Sequence, residues 1–443
     1  MSKQNIIQGT VAPGFESVKQ LFEDQMHTMA ERQAQLCVYH RGERVVDLWA
    51  DKIGDSNFSA DSIVNVFSSS KSLEAIAVAY LVDRGQISYD AKVTEYWPEF
   101  GANGKEGITV ADVMRHEAGM ANFDSQVDME ELFTDKLKQN SVGRIIEQQG
   151  LNYDGAGGGK REYHGFTRGW IINEVFRRAE PSDRTIGEFL RDEISGPLNA
   201  DVIVGVREEQ MSKRIQVKAL GFGKHLLYSL VPRILGRKVV HSFFTIVMRL
   251  VMMIMAMRNS GEGGTPFKGE NIGPFNYFED PNFARGETPS ANANCSARGL
   301  AKLAAMMSAG GTLEGKQHLS PQAWQAMHDH PLESKMALGA FVNTRFSQGG
   351  VNFSLPTTSS STTLERDMND GREGFIGWAG FGGSIFQWHP ELDIGFAFVP
   401  TYLHVIDLFN ERGKRYQAEV LKCVKALEAA SGCILRSYAG DDT

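Results

Sequence analysis

The stretch VFSSSKSLEAIAVAYLVDRG, residues 66–85, joins three consecutive serines to a lysine at the point where an apolar helical pattern begins. From the lysine onward Leu73, Ile76, Ala77, Tyr80 and Leu81 follow the i, i+3, i+4, i+7, i+8 order of one buried helix face. Gly85 stands where such a helix closes at its C′ position. Ser68 and Lys71 then lie one turn apart on one face of the helix start, within side-chain reach. A serine hydroxyl is a poor nucleophile until a base takes its proton, and a buried lysine with a lowered pKa serves as that base. The helix N-terminus adds free N–H groups and positive potential, which stabilise an oxyanion. Ser69 and Ser70 have no lysine three residues on, and S-x-x-K occurs nowhere else in the chain. The competing reading, serines that cap a helix beside a solvated lysine, is separated from the catalytic one only by what the rest of the chain carries.

With 443 residues, 42% of them hydrophobic and 23% charged, the composition is that of a globular protein with a large core, in two or three lobes of one compact unit. A formal net charge of −8 argues against nucleic acid as a partner. Cys37, Cys295, Cys423 and Cys433 show no C-x-x-C spacing, so the cysteines suggest neither a metal site nor a redox motif and lean towards a reducing compartment. The opening MSKQNIIQGTVAPGFES has no apolar run of signal-peptide length, and a cytoplasmic location is expected.

QLCVYHRGERVVDLWA, residues 35–50, holds two β-rich runs around Arg41-Gly42, a hairpin signal. SIFQWHPELDIGFAFVP, residues 384–400, repeats the pattern around His389-Pro390-Glu391. Helical patterns fill the middle at 73–84, 110–116, 167–178 and 297–308, and another at 414–430 closes the chain. The expected fold is α/β of the α+β kind: a mostly antiparallel sheet from the two chain ends, residues 1–74 and 331–443, flanked by helices, with a helical lobe inserted over 75–330. TTSSSTT, residues 357–363, and GEGGTPFKGENIGP, residues 261–274, read as loops.

One segment breaks the average. Residues 211–261 contain no Asp or Glu, while Lys213, Arg214, Lys218, Lys224, Arg233, Arg237, Lys238, Arg249 and Arg258 supply nine positive charges. Within it VVHSFFTIVMRLVMMIMAM, residues 239–257, approaches membrane-spanning length, but Arg249 near mid-bilayer would cost roughly 2.5–3.5 kcal/mol on insertion scales, and a spanning helix is not expected. Two readings stand. One is a buried helix whose cations face acidic neighbours. The other is a lid or peripheral membrane contact, with Phe243, Phe244, Met248, Leu250, Met252 and Met253 entering the interface or lining an acyl pocket.

Two later segments bear on the opening stretch. REYHGFTRGWIINEVFRR places Tyr163 just before a helix, and FIGWAGFGGSIFQW opens a strand with small residues. With S-x-x-K and these segments in this order, the chain resembles the serine β-lactamase and penicillin-binding-protein superfamily. Within it the chain is most similar to the class C-like branch that contains family VIII carboxylesterases and eukaryotic β-lactamase-domain proteins. The resemblance runs from GTVAPGFESV and VVDLWA through VADVMRHEAGM to the final hairpin.

That resemblance implies Ser68 as the acylated nucleophile, Lys71 as its general-base partner, and Tyr163 as the proton relay that later activates the deacylating water. It implies an oxyanion hole from the N–H groups of Ser68 and Phe381, with Trp378, Ala379, Gly380 and His164 beside the substrate. No cofactor or metal is implied, and the partner is a small-molecule ester. Two departures matter. His164-Gly165 follows Tyr163, so the side-chain amide of Y-x-N is missing, and Trp378 stands where K-T-G has its cation. A neutral indole cannot give a β-lactam carboxylate a charge-assisted hydrogen bond, whereas an aromatic wall suits an apolar acyl or alcohol group. The expected function is ester hydrolysis through an acyl-enzyme on Ser68. The alternatives are a non-catalytic scaffold or polymerising protein, and a β-lactamase or D-amino acid peptidase.

His116 in RHEAGM reads as a structural hydrogen-bonding residue, and His328 and His330 as members of a solvated loop rather than metal ligands. Asp47 reads as structural. GFGGS at 380–384 fails G-x-S-x-G because Phe386 stands at the second glycine.

Overall fold

The computed structural model describes residues 6–153, 156–259, 266–268, 277–337 and 341–438. Strands β1 (Ile7–Val11), β2 (Gln33–His40), β3 (Glu43–Asp51), β4 (Ile376–Ala379), β5 (Ile385–His389) and β6 (Ile394–Pro400) form one sheet in the order β1, β3, β2, β6, β5, β4. All neighbours are antiparallel. The β2–β3 turn consists of Arg41 and Gly42, both with positive φ (52° and 77°), the geometry whose twist matches a two-residue hairpin. Pairing of β6 with β2, from Ile394↔His40 to Pro400↔Ala34, joins the two chain ends as expected.

Period-two alternation divides the sheet between two layers. Leu36, Val38, Phe396 and Phe398 face the helices α1 (Glu16–Thr28) and α7 (Glu411–Tyr438), where Phe22, Met26, Tyr416 and Val420 complete an apolar cluster. Cys37, Gly395, Ala397 and Val399 take the other face, under helix α6 (Ala297–Ser308). Those residues are small, and the helix lies close: a Cβ on Gly395 would fall 2.4 Å from the Ala305 amide nitrogen. This packing corrects the lobe boundary at 330, because α6 belongs to the sheet. Arg298 on α6 also grips Asp47 of β3 with Nε and Nη2 at 3.0 and 2.9 Å, so Asp47 is structural as expected.

Helix α2 (Ser70–Asp83) departs from its amphipathic reading. All residues from Ser70 to Leu81 are buried, because the helix runs between the β4–β5 edge and the inserted helices rather than along a surface. It ends as expected: Gly85 (φ 67°) and Gln86 donate to the carbonyls of Val82 and Leu81, closing the last turn.

In the inserted region helix α3 (Thr167–Ala179) follows the two-residue strand Arg161–Glu162, which pairs in parallel with strand Leu332–Ala337. Residues 211–259 hold helices α4 (Phe222–Leu230) and α5 (Phe243–Asn259), joined through a short helix Pro232–Leu235. No helix among the described residues is long and apolar enough to cross a membrane. Arg249 is buried and its Nη2 donates to Glu411 (2.6 Å) and Asp367 (2.8 Å), while Nη1 donates to the Ile406 carbonyl (3.0 Å). The expected 261–274 loop lies outside the described residues except for 266–268, as do the side chains of Met252 and Met253.

His328 is corrected. It is buried at the end of helix Pro321–His328, its Nδ1 beside the Trp324 carbonyl (2.7 Å) and its Nε2 accepting from Trp388 Nε1–H (3.1 Å). Only His330 of the pair is exposed.

Candidate active site

Ser68 occupies a tight helical turn, Phe67–Ser69, between strand Ile63–Asn65 and α2. Phe67 has φ 48°, a left-handed conformation that a bulky residue rarely adopts, and the Asn65 side chain accepts its N–H at 2.9 Å. The strained corner leaves Ser68 half-buried while Ser69 and Ser70 are buried and engaged: Ser69 Oγ lies 3.0 Å from Ser384 Oγ, and Ser70 Oγ donates to the Phe67 carbonyl. Tyr163 Oη lies 2.5 Å from Ser68 Oγ. Lys71 Nζ, fully buried, donates to the carbonyls of Gly165 (2.8 Å) and Ser290 (3.0 Å) and sits 3.5 Å from Ser68 Oγ.

Burial and, second, the Arg168 guanidinium drive the Lys71 amine well below its ordinary 10.5, against the pull of Glu74. Burial also pushes the Tyr163 phenol up to about 12, although its hydrogen bond to Ser68 favours the ionised form. The two shifts run in opposite directions, one favouring the free amine of Lys71 and the other the protonated phenol of Tyr163.

Beneath Lys71 lies a buried frame. Arg168 Nε donates to Glu74 Oε1 at 2.7 Å, both side chains being fully buried, and Glu74 Oε2 accepts from Ser290 Oγ at 2.7 Å. Arg168 also donates to the carbonyls of Gly350 (3.2 Å) and Lys71 (3.4 Å). None of Glu74, Arg168 and Ser290 belongs to a motif. The available signal is Glu74, an acid three residues beyond Lys71 in an otherwise apolar helix, which therefore continues the Ser68–Lys71 face.

The strand expected beside the substrate is divided by its alternation. Trp378 faces the serine side: its ring stacks on Phe346 (5.1 Å, 14°) and lies 5.6 Å from Lys71 Nζ, with Nε1–H donating to Gly350 O at 2.8 Å. The residue exposes only 7% of its surface, so the expected open aromatic wall is largely covered. Ala379 turns the other way, onto the cluster under α1 and α7, which corrects its assignment as a substrate-contacting side chain. Gly380 abuts the serine turn: a Cβ there would fall 2.2 Å from Val66 O and 3.1 Å from the Ser69 amide nitrogen. The Phe381 ring packs edge-on to Phe67 at 5.9 Å. Asn410 Nδ2 donates to the carbonyls of Gly380 (2.7 Å) and Ser384 (3.0 Å), and Arg412 donates to Gly382 O, fixing this loop from below.

His164 is a correction. It is fully buried, with Nδ1–H donating to Glu162 O (2.6 Å) and Nε2 accepting from Met120 N–H (3.1 Å). Burial brings its pKa down to about 4, so it is a neutral bracket rather than a substrate contact. His116, with Nδ1 accepting from His164 N–H at 3.1 Å, is structural as expected. Among the described residues one group has metal-ligand composition, His241, Asp407 and Glu411, with ligand atoms within 4.8 Å of one another. Arg249 already lies among them, its Nη1 2.8 Å from His241 Nε2 and its Nη2 on Glu411, and supplies the positive charge.

A single antiparallel sheet covered by helices on both faces, with an inserted helical region, carrying serine, lysine and tyrosine together, defines the class of β-lactamase-fold serine hydrolases. The Beta-lactamase family model matches residues 18–419, and the chain belongs to that family. A curated relative, the esterase/beta-lactamase LipL of Mycobacterium tuberculosis (strain ATCC 25618 / H37Rv), is 28% identical over 402 residues, covering 89% of this chain and 83% of its own. Among solved structures, a family VIII carboxylesterase superposes with TM-score 0.72 at 24% identity, and a penicillin-binding protein homologue from Caulobacter crescentus with 0.71 at 22%. Each covers 94% of this chain and 99% of its own, a likeness of fold.

Proposed function

We propose that the protein is a serine hydrolase that cleaves carboxylic esters through an acyl-enzyme on Ser68. The observation that carries this reading is the Ser68–Tyr163–Lys71 contact set. A neutral lysine amine has two hydrogens, and two carbonyls accept them, so its lone pair is left for the Ser68 proton. Ser68 Oγ attacks the ester carbonyl as its proton passes to Lys71, directly or through Tyr163 Oη. The N–H groups of Ser68 and Phe381 receive the developing oxyanion. The carbon–alkoxy bond then breaks, and the alcohol departs with a proton delivered by Tyr163. Water, relieved of a proton by the same pair, cleaves the Ser68 acyl bond and restores the serine.

Esters are favoured over β-lactams because Trp378 replaces the cation that would bind the drug's carboxylate. The family VIII carboxylesterase name points the same way, whereas the name of the esterase/beta-lactamase LipL covers both substrate classes. The test compares a chromogenic butyrate ester, a chromogenic cephalosporin and a D-Ala-D-Ala peptide, with mass spectrometry of acid-quenched protein. The ester should turn over fastest and leave a butyryl group on the Ser68 peptide. Faster turnover of cephalosporin or peptide would move the assignment to that substrate. No turnover and no adduct with any of the three would establish the scaffold alternative.

A further inference from the structure

The acid-free segment presents an apolar surface that the fold does not cover. Seven of the nine exposed large apolar side chains among the described residues fall between Leu227 and Val251. On α5, Phe244 (80% exposed), Met248 (66%) and Val251 (50%) follow i, i+4, i+7 spacing, one face of the helix. On α4 and the short helix after it, Leu227, Leu230 and Ile234 are exposed, Ile234 by 83%. The opposite faces are anchored. Ile246 of α5 and Phe222 and Leu226 of α4 pack on Val405, Ile406 and Phe381, while Arg249 holds α5 to Glu411 and Asp367. Both helices rest on one cluster, which includes Phe381.

Charge identifies what covers this surface. Lys213, Lys218, Lys224, Arg237 and Lys238 are exposed within the segment, and no acid lies anywhere in 211–261 to balance them. Of the five, Lys213 pairs with Asp201 at 3.7 Å and Lys238 with Asp24 at 4.0 Å, while Lys218, Lys224 and Arg237 have no ion-pair partner among the described residues. Exposed apolar side chains and unbalanced cations on one acid-free segment match a bilayer interface with anionic headgroups. The apolar groups enter the acyl boundary and the cations meet phosphate and carboxylate. A protein partner would need acidic groups around an apolar patch, and a second copy of this chain would bring cations against cations.

We infer that α4, the short helix after it and α5 form a peripheral docking surface for anionic lipid bilayers. The cations supply long-range attraction and Phe244, Met248 and Ile234 the insertion. The surface adjoins the site without sharing a side chain with Ser68, Lys71 or Tyr163, so binding is measured independently of catalysis.

Full-length protein is sedimented with vesicles of phosphatidylcholine plus phosphatidylserine, and with phosphatidylcholine alone, at low and high salt. The protein should pellet with the anionic vesicles at low salt and much less in the other conditions. Lys224→Glu/Arg237→Glu removes two cations and adds two acids, and should weaken anionic binding by at least roughly twenty-five-fold, taking about fivefold per lost cation. Phe244→Ser/Met248→Ser should weaken binding while leaving circular dichroism and turnover of a soluble butyrate ester unchanged, since both side chains are exposed. Retention in the supernatant with anionic vesicles at low salt overturns the inference. So does binding that both variants keep, or a dimer in wild type that Phe244→Ser/Met248→Ser dissolves.

Discussion

Alanine at position 68 and methionine at position 71 are each expected to lower kcat for a chromogenic butyrate ester by roughly ten-thousand- to million-fold, and the doubly substituted chain no further. The groups act as a unit: without the Ser68 hydroxyl the amine has no proton to take, and without the amine that hydroxyl is an unactivated alcohol 2.5 Å from a protonated phenol. Both substitutions remove polar atoms without adding volume, so thermal melts and circular dichroism should show a folded chain. A residual rate in Ser68→Ala near that of the wild type would remove Ser68 from the chemistry, and losses that multiply in the double variant would show that the two groups do not act as a unit.

The sign of the pH dependence follows from the same geometry. The reacting form carries Lys71 as the free amine, whose pKa is held well below 10.5. The rate therefore rises with pH through that lowered pKa and levels off. A fall belongs near 12, where the Tyr163 phenol ionises and no longer supplies a proton to the leaving alcohol. Stability moves with the acid limb. Between the lowered pKa and 10.5 the unfolded chain binds a proton on this amine that the folded chain does not. This group's contribution to stability therefore rises with pH across that window and is least favourable below it.

The parts of the molecule that local rules govern are legible in the sequence. Arg41-Gly42 between alternating runs specifies a two-residue hairpin, and the helix predicted at 297–308 is the observed Ala297–Ser308. Helix geometry turns the Ser68–Lys71 spacing into proximity without knowledge of the rest of the fold. Where tertiary packing decides, the text is silent. The small residues of α6 read as one more helix of the insert, and only the matching Gly395 and Ala397 reveal that it lies on the sheet. Trp378 and Ala379 stand side by side in sequence but face opposite layers, a difference fixed by register. HDH looks hydrophilic, yet the buried Trp388 N–H needs an acceptor and His328 supplies it. The site's frame is the hardest case, because Glu74 and Ser290 meet across 216 positions of chain.

That frame yields the second large effect. Glu74 and Arg168 are fully buried and bonded at 2.7 Å, so removing either strands a charge without solvent. Arg168→Met and Glu74→Gln should each cost roughly 3–5 kcal/mol in denaturant unfolding, and the double substitution less than the sum of the two. Their effects on catalysis should run in opposite directions along the pH axis. Arg168 presses the Lys71 pKa down and Glu74 draws it up. Without Arg168, the remaining carboxylate stabilises the ammonium and the acid limb moves to higher pH, so activity at a pH on the limb falls and returns as the pH is raised. Without the Glu74 charge, the amine loses its counterion and the acid limb moves to lower pH. A merely structural ion pair would lower the folded fraction in both variants and leave the midpoint of the limb in place. Opposite displacement of that midpoint, measured on the folded fraction, identifies the pair as setting the Lys71 pKa within its buried site, Arg168 lowering it and Glu74 raising it. Displacement in the same direction, or none, would leave burial alone to explain the amine.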